Sequence, residues 1–258
     1  MKVKVVWLAV ALSIIMVFAM KTTLAAQTAV PTGPDVLTVF NSSRYNSTNI
    51  NGTSIQAEAG NVTGLVLVDI ALTKAWAGYY GNVSGTIVLS DAGSNNLYTW
   101  AIASPTGEVY ASNGSGVSWS IVNCVNLTAN KSSNYPMNQS TLEAFFGIAV
   151  TDGDGVNETF NSTFGDTAGF YVSSTLIDDT DKCPMLFTHT SGAYQTTNFK
   201  EVLLTDNSSV IFTALLNDSQ TGFKGGTELF DFQMLVTEDG HGAQSTSLTN
   251  YYFFVELA

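Results

Sequence analysis

Short apolar runs alternate with clusters of Gly, Asn, Asp and Ser along most of the chain. The runs are rich in Val, Ile, Tyr, Phe and Thr, a composition and length typical of β-strands rather than helices. Strands are therefore predicted at 64–69, 85–90, 97–103, 108–111, 117–122, 169–174, 185–190, 201–205, 209–216, 229–236 and 251–257.

The connections between these runs are short and contain turn-forming residues. Segments 91–96 and 104–107 predict hairpin turns, which join antiparallel strands. We therefore expect an all-β fold, an antiparallel β-sandwich, built as one large sandwich or as two consecutive ones. For two domains, the boundary is expected near 123–138, because that segment is polar and holds three N-glycosylation sequons.

One short helix is predicted near 140–148. Ser140 and Glu143 have the spacing of a capping box, in which each side chain bonds the backbone N–H of the other residue. The apolar residues 144–146 then follow, so the helix is expected to span about two turns.

Residues 1–26 have the parts of a secretory signal: a basic start with Lys2 and Lys4, an apolar run over 5–20, and small residues before a predicted cleavage after Ala26. The run is shorter than the ~20 residues of a membrane-spanning helix. The alternative is an uncleaved N-terminal anchor. Export leaves 27–258 as the mature β-sandwich region.

The first mature segment, 27–40, starts polar and becomes apolar at 36–40. It is expected to be the first strand of its own domain. The alternative is a strand that inserts into a neighbouring molecule, which would make the chain a strand-exchange filament subunit.

The net charge of the chain limits the classes of partner that it can bind. Residues 1–26 hold three Lys and no acid, so the remainder carries 6 Lys and Arg against 21 Asp and Glu, a net charge of −15. Nucleic-acid binding needs clustered cations, and we expect none here. Charged residues are only 12% of the chain, so solubility is expected to come from neutral polar residues and sugars.

Thirteen Asn-x-Ser/Thr sequons predict a heavily N-glycosylated surface. They begin at Asn41, Asn46, Asn51, Asn61, Asn82, Asn113, Asn126, Asn130, Asn138, Asn157, Asn161, Asn207 and Asn217. The chain has two cysteines, Cys124 and Cys183. In an exported protein this pair predicts a disulfide, with Cα atoms within about 7 Å of each other.

The sequence offers little for catalysis. It has two histidines, His189 and His241, and no nucleophile elbow, phosphate-binding glycine loop or zinc-protease motif. We therefore expect no enzyme and no cofactor other than calcium. The calcium candidate is a carboxylate-rich loop, where oxygen ligands are closely spaced: Asp152, Asp154, Asn157 and Glu158.

Three aromatic residues stand among small ones in Lys74–Gly85: Trp76, Tyr79 and Tyr80. Their rings are candidates for stacking on a sugar or packing against a second subunit, and the alternative is an internal aromatic cluster at a tight turn. This segment and the ending over 250–257 resemble secreted archaeal surface glycoproteins. The resemblance implies an envelope location and transfers no catalytic or binding residue.

These features predict a non-enzymatic extracellular or cell-surface glycoprotein with a structural role in the cell envelope. The alternatives are a carbohydrate-binding or adhesive β-sandwich module and the strand-exchange filament subunit. The expected partners are other surface proteins, further copies of the chain, or glycans. A membrane contact is expected only through an uncleaved N-terminal segment.

Overall fold

The computed structural model describes residues 30–45, 54–67, 70–127, 137–238 and 249–257. The helices are α1 (Gln139–Phe145) and α2 (Val156–Thr159), and a 3-10 turn covers Trp119–Ile121. The strands are β1 (Trp76–Gly81), β2 (Thr86–Ser90), β3 (Asn96–Ala101), β4 (Gly107–Ser112), β5 (Asn123–Cys124), β6 (Ser162–Thr163), β7 (Phe170–Val172), β8 (Thr175–Ile177), β9 (Pro184–Phe187), β10 (Lys200–Thr205), β11 (Val210–Leu215), β12 (Gln220–Thr221), β13 (Leu229–Phe230), β14 (Phe232–Thr237) and β15 (Tyr252–Leu257).

The main sheet has the strand order β15-β4-β11-β10-β9-β6, and β5 pairs with β10 beside β9. All of these pairings are antiparallel. The central strands β10 and β11 are buried along nearly their whole length. Their consecutive apolar residues supply side chains to both faces of the sheet.

The main sheet is covered on both faces. On one face, Phe212 and Leu203 pack with Met234 of β14, Leu142 of α1 and Phe160 at the end of α2. On the other, residues of the same strands pack against the β7–β8 hairpin and the segment around the 3-10 turn, in a core formed by Tyr110, Leu204, Ile211, Phe170 and Ile177. The predicted all-β, sandwich-like fold is confirmed.

Most predicted strands are found with bounds shifted by a few residues, but two predicted strands and one predicted turn were wrong. Residues 64–67 are exposed and form no strand, and 117–122 contains the 3-10 turn instead of a strand. Segment 104–107 is not a hairpin turn, because β3 pairs with β2 while β4 pairs with β11 and β15. The 91–96 turn is confirmed, with the Asp91 carboxylate accepting the N–H of Gly93 at 2.8 Å.

The predicted short helix is present, but its predicted capping residues were wrong. Asn138 is the N-cap, and its side chain accepts the N–H of Thr141 at 3.0 Å. The Thr141 hydroxyl accepts the N–H of Asn138 in return, at 2.9 Å. Ser140 and Glu143 therefore lie inside α1, and Glu143 is fully buried.

The segment after the predicted signal contacts the edge strand β15 at one residue. Thr32 and Val255 exchange two backbone hydrogen bonds, at 3.1 and 2.8 Å. The chain then continues through 36–40 without a strand and with exposed apolar side chains. The expectation that 27–40 is the first strand of its domain was therefore wrong over the described residues 30–40, because the apolar run at 36–40 is not placed against the sheet. The predicted signal over 1–26 lies outside the described residues, as does 128–136 within the candidate boundary. Strands on both sides of that boundary, β4 and β10, belong to the main sheet.

Candidate interaction surface

The aromatic segment over 76–81 is a strand and not the tight turn considered above. It forms β1, which pairs antiparallel with β14 from Trp76 opposite Thr237 to Gly81 opposite Phe232. Aromatic and small residues suit this position because the strand lies against the core. The pairing fixes where each of the three aromatic side chains points.

Trp76 is half-buried and is part of the interior. Its ring centroid lies 6.1 Å from that of Phe160 and 6.4 Å from that of Phe212. Its indole N–H donates to the backbone carbonyl of Asp154 at 2.6 Å. A tryptophan with a paired N–H and two ring neighbours fixes β1 to the core and to the loop before α2.

Tyr80 also has internal partners. Its ring lies 4.7 Å from Phe230, 5.0 Å from Phe223 and 5.6 Å from Phe40, measured between centroids. The Lys224 ammonium lies 5.2 Å from the centre of the Tyr80 ring, within the range of a cation–π contact. This cluster leaves the ring with little free face.

Tyr79 is the most exposed of the three, with 40% of its surface accessible. Its ring packs edge to face against Phe253, with centroids 5.1 Å apart. Trp76, Tyr79 and Tyr80 therefore do not form one flat exposed row. A row of that kind is the geometry that would let several rings stack on a sugar chain.

A different aromatic surface is exposed on the β2–β3 hairpin. In its register Ile87 lies opposite Trp100 and Leu89 opposite Tyr98, so these four side chains share one face. Their accessible fractions are 57%, 46%, 50% and 58%, respectively. The Tyr98 and Trp100 rings contact each other, with centroids 4.7 Å apart.

Both strands of this hairpin were predicted from the sequence, but the apolar face was missed. The alternation within each strand is visible in the sequence. Which residues oppose each other depends on the length of the turn and on the register shift between Leu89 and Ser90.

The residues proposed for calcium have protein partners. The Asp154 carboxylate accepts the Thr73 hydroxyl at 2.5 Å, and the Asp152 carboxylate accepts the N–H of Ala149 at 2.9 Å. Asn157 and Glu158 lie in the single turn of α2. Within the described part of the chain, no three His, Cys, Asp or Glu side chains are grouped to hold a metal ion. Calcium binding stays a prediction.

The sequons differ in exposure. The exposed asparagines are Asn41, Asn61, Asn82, Asn157, Asn161 and Asn207, and the half-buried ones are Asn113, Asn138 and Asn217. Asn126 is only 8% exposed, so a glycan there would require its side chain to leave its buried position. The prediction that Asn126 faces solvent, as a glycosylated asparagine would, was therefore wrong. Asn46, Asn51 and Asn130 lie outside the described residues.

Two buried carboxyl groups oppose each other in the main sheet. Glu108 of β4 pairs with Glu256 of β15, and both side chains are buried. The Tyr110 hydroxyl donates to Glu256 at 3.0 Å, and the N–H of Ser173 donates to the same carboxyl oxygen at 3.1 Å. Burial, and then repulsion from Glu256, raises the pKa of Glu108 to about 8.

The pKa of Glu256 is raised as well, mainly by burial. Glu201 is a third such group: it is fully buried, and burial raises its pKa well above the usual value. Its carboxylate accepts the N–H of Leu235 at 2.8 Å. All three carboxyls are buried and accept hydrogen bonds from neighbouring groups. His189 is exposed, and His241 lies outside the described residues.

The predicted disulfide is confirmed. Cys124 and Cys183 are bonded, with Cα atoms 4.9 Å apart, and the bond is compatible with an extracellular location. None of the helices in the described ranges is long and apolar enough to cross a membrane. Comparison of the chain with known protein families, curated proteins and solved structures found no match.

Proposed function

We propose that the protein is a non-enzymatic extracellular or cell-surface glycoprotein with a structural role in the envelope. The disulfide, the predicted secretory signal and the exposed sequon asparagines support the extracellular part of the proposal. The acidic, cation-poor composition supports partners other than nucleic acid.

The packing of the 76–81 segment is the observation that supports the structural role in this proposal. Trp76 and Tyr80 pack against rings of the same molecule, and the Trp76 N–H is bonded within it. A segment that serves as a binding platform would present its rings to solvent. Here the rings join β1 to the core, which supports a scaffold over a lectin built on this segment.

The strand-exchange alternative requires the first mature segment to leave its own molecule. In the structure, Thr32 pairs with Val255 of the same chain. Docking within one molecule through this pairing is the arrangement that we propose. The exposed residues 36–40 are not part of that pairing.

The proposal is tested by locating the protein and analysing it intact. We expect it in the envelope or secreted fraction, with Cys124 and Cys183 oxidised and with glycans on exposed sequons such as Asn61 and Asn207. Recovery from the cytoplasm with both thiols free would contradict the extracellular assignment.

A glycan array tests the carbohydrate-binding alternative. We expect no specific signal from the intact secreted protein. A signal that disappears in Tyr79→Ala but persists in Tyr171→Ala would assign a lectin function to β1 instead. Tyr171 is a suitable control because it is an exposed tyrosine on a different hairpin.

A further inference from the structure

Among the elements that the structure describes, the β2–β3 hairpin is the least buried. Every residue of Thr86–Ser90 and Asn96–Ala101 is exposed, and among the described strands these two pair only with each other. An isolated two-stranded hairpin is marginally stable in water. One that carries four exposed apolar side chains on one face would gain stability by covering that face.

We name four residues of this hairpin the hairpin face: Ile87, Leu89, Tyr98 and Trp100. Each strand contributes a different type of side chain to it. The two aliphatic residues lie on β2 and the two aromatic residues lie on β3. The opposite face is mixed: Thr86 and Thr99 lie there with Val88 and Ala101, and Val88 is 47% exposed. The hairpin face is distinguished by its larger side chains and by the two rings of Tyr98 and Trp100, which contact each other.

We propose that the hairpin face binds the hairpin face of a second copy of this chain, with the two hairpins packed face to face about a two-fold axis. This inference rests on the proposed structural role and deepens it, because it names the partner and the surface. The contact is isologous: the same residues of both copies meet each other.

Self-complementarity is the first reason to choose a second copy. A two-fold axis parallel to the strands places β3 of one molecule over β2 of the other. Tyr98 and Trp100 of each copy then cover Ile87 and Leu89 of its partner. Aromatic rings packed on aliphatic side chains fill such an interface. The Tyr98 hydroxyl and the Trp100 N–H lie at its solvent-accessible rim in this arrangement, so that no polar group has to lose its water.

Charge is the second reason. The whole chain has a net charge of −12, yet 75–107 contains a single charged residue, Asp91, in the hairpin turn. Two acidic molecules repel each other least where they meet through an uncharged surface. A basic partner would find no carboxylate on the hairpin face, so charge favours another copy over a cationic protein.

The size of the face sets the expected strength. A stable complex buries about 800 Å² per partner, and an aromatic side chain buries at most about 150–250 Å². Four side chains that are already about half covered supply roughly half of the required area. We therefore expect a weak dimer in dilute solution, which becomes significant where copies are concentrated and held together at a surface.

The test is sedimentation of the intact secreted protein over a wide concentration range. We expect reversible self-association at high concentration. Tyr98→Glu should raise the Kd at least roughly tenfold, because it places a carboxylate on an apolar contact. Thr99→Glu is the matched control: it adds the same charge one residue away on the opposite face and should leave the Kd within about threefold.

A complementation experiment tests the two-fold arrangement. Leu89→Lys should also weaken self-association. A mixture of Leu89→Lys with Tyr98→Glu should associate more strongly than either variant alone, because residue 98 of one copy faces residue 89 of the other. Amide resonances of β2 and β3 report whether each variant hairpin remains folded. If Tyr98→Glu unfolds it, Tyr98→Ser provides the same comparison without the added charge.

Three outcomes would overturn the proposal. The first is a wild-type protein that stays monomeric at high concentration while located in the envelope; this leaves the proposed function intact. The second is self-association that Tyr98→Glu does not change. The third is binding to phosphatidylcholine vesicles or to an arrayed glycan that Tyr98→Glu removes, which would assign the face to a lipid or a sugar.

Discussion

The carboxyl pair of Glu108 and Glu256 predicts that the fold loses stability as the pH rises. The two residues face each other across β4 and β15, both are buried, and each has a raised pKa. The groups that face the pair are the Tyr110 hydroxyl and the N–H of Ser173. Neither brings a positive charge, so ionising both carboxyls is unfavourable in the folded state.

The pKa of Glu108 sets the sign and the pH window. Its value is about 8 in the fold against 4.5 for an exposed glutamate. A raised pKa means that the folded protein holds its proton more tightly than the unfolded chain does. The stabilisation is therefore complete below pH 4.5 and is lost as the pH rises through 8.

The size of the effect follows from the same two values. At 1.36 kcal/mol per pKa unit, the free energy of unfolding falls by at most about 5 kcal/mol across this window. Because β15 is an edge strand, it can shift and admit water when Glu108 ionises. We expect this relaxation to leave a measured loss of about 2–3 kcal/mol.

The assay is urea unfolding of the disulfide-intact protein from pH 5 to pH 9, followed by intrinsic fluorescence. Glu108→Gln keeps the size and hydrogen-bonding capacity of the side chain but cannot ionise, so it should remove most of the pH dependence. Glu58→Gln removes the same charge from an exposed position, where the carboxylate accepts the side-chain amide of Asn61 at 3.0 Å. It should retain the wild-type dependence.

The Glu58→Gln control distinguishes two effects on the free energy of unfolding. One is ionisation of the buried Glu108–Glu256 pair, and the other is repulsion among all the carboxylates of this acidic chain, which also increases with pH. If wild type, Glu108→Gln and Glu58→Gln lose the same free energy of unfolding between pH 5 and pH 9, the reasoning about the buried pair is refuted.

Three further predictions concern stability, each measured by urea unfolding. Trp76→Ala should lower the free energy of unfolding by about 3 kcal/mol, because the ring packs on Phe160 and Phe212; Tyr171→Ala, at an exposed position, should cost far less. Replacing Cys124 and Cys183 together by Ala should cost about 4 kcal/mol, as expected for a 59-residue separation; an unchanged urea midpoint would contradict this. Asn138→Ala should cost about 1 kcal/mol by removing the helix cap, whereas Ser140→Ala should cost less than half of that; the reverse order would restore the capping box expected from the sequence.

The strands that the sequence predicted best are those whose side chains are needed by the core. The 201–205 and 209–216 runs contain consecutive apolar residues, at 202–204 and 210–212, and β10 and β11 are buried on both faces. Strand β1 was missed because its partner β14 lies about 150 residues later in the chain. Aromatic and glycine residues alone do not distinguish an aromatic turn from such a strand.

The wrong strand at 117–122 has a tertiary cause. Trp119 packs against Tyr110 and Phe254, with ring centroids 5.0 and 5.1 Å away. The backbone N–H of Ser118 donates to the buried Asp206 carboxylate at 2.9 Å. These contacts to distant strands fix a 3-10 turn where local β propensity favours an extended chain, and propensity is the weaker influence.

The start of α1 shows that a contact outside the helix can determine which of two possible capping boxes forms. Asn138 with Thr141 and Ser140 with Glu143 are both polar pairs three residues apart, so each has the spacing of a capping box. The Glu143 carboxylate instead accepts the N–H of Val156, at 3.2 Å. It thereby satisfies one of the free N–H groups at the start of α2.

The glycine before α2 makes that contact possible. A Cβ at Gly155 would lie 3.2 Å from the Glu143 carboxyl oxygen, so the buried Glu143 side chain would have to shift. The exposed Glu158 side chain, whose carboxyl oxygen would lie 2.5 Å away, can move aside. The Glu143 carboxylate therefore connects α1 to α2. The N-terminal cap of α1 is formed instead by Asn138 and Thr141. A sequence pattern gives the candidates for a cap, but burial of Glu143 against a segment 13 residues away selects between them.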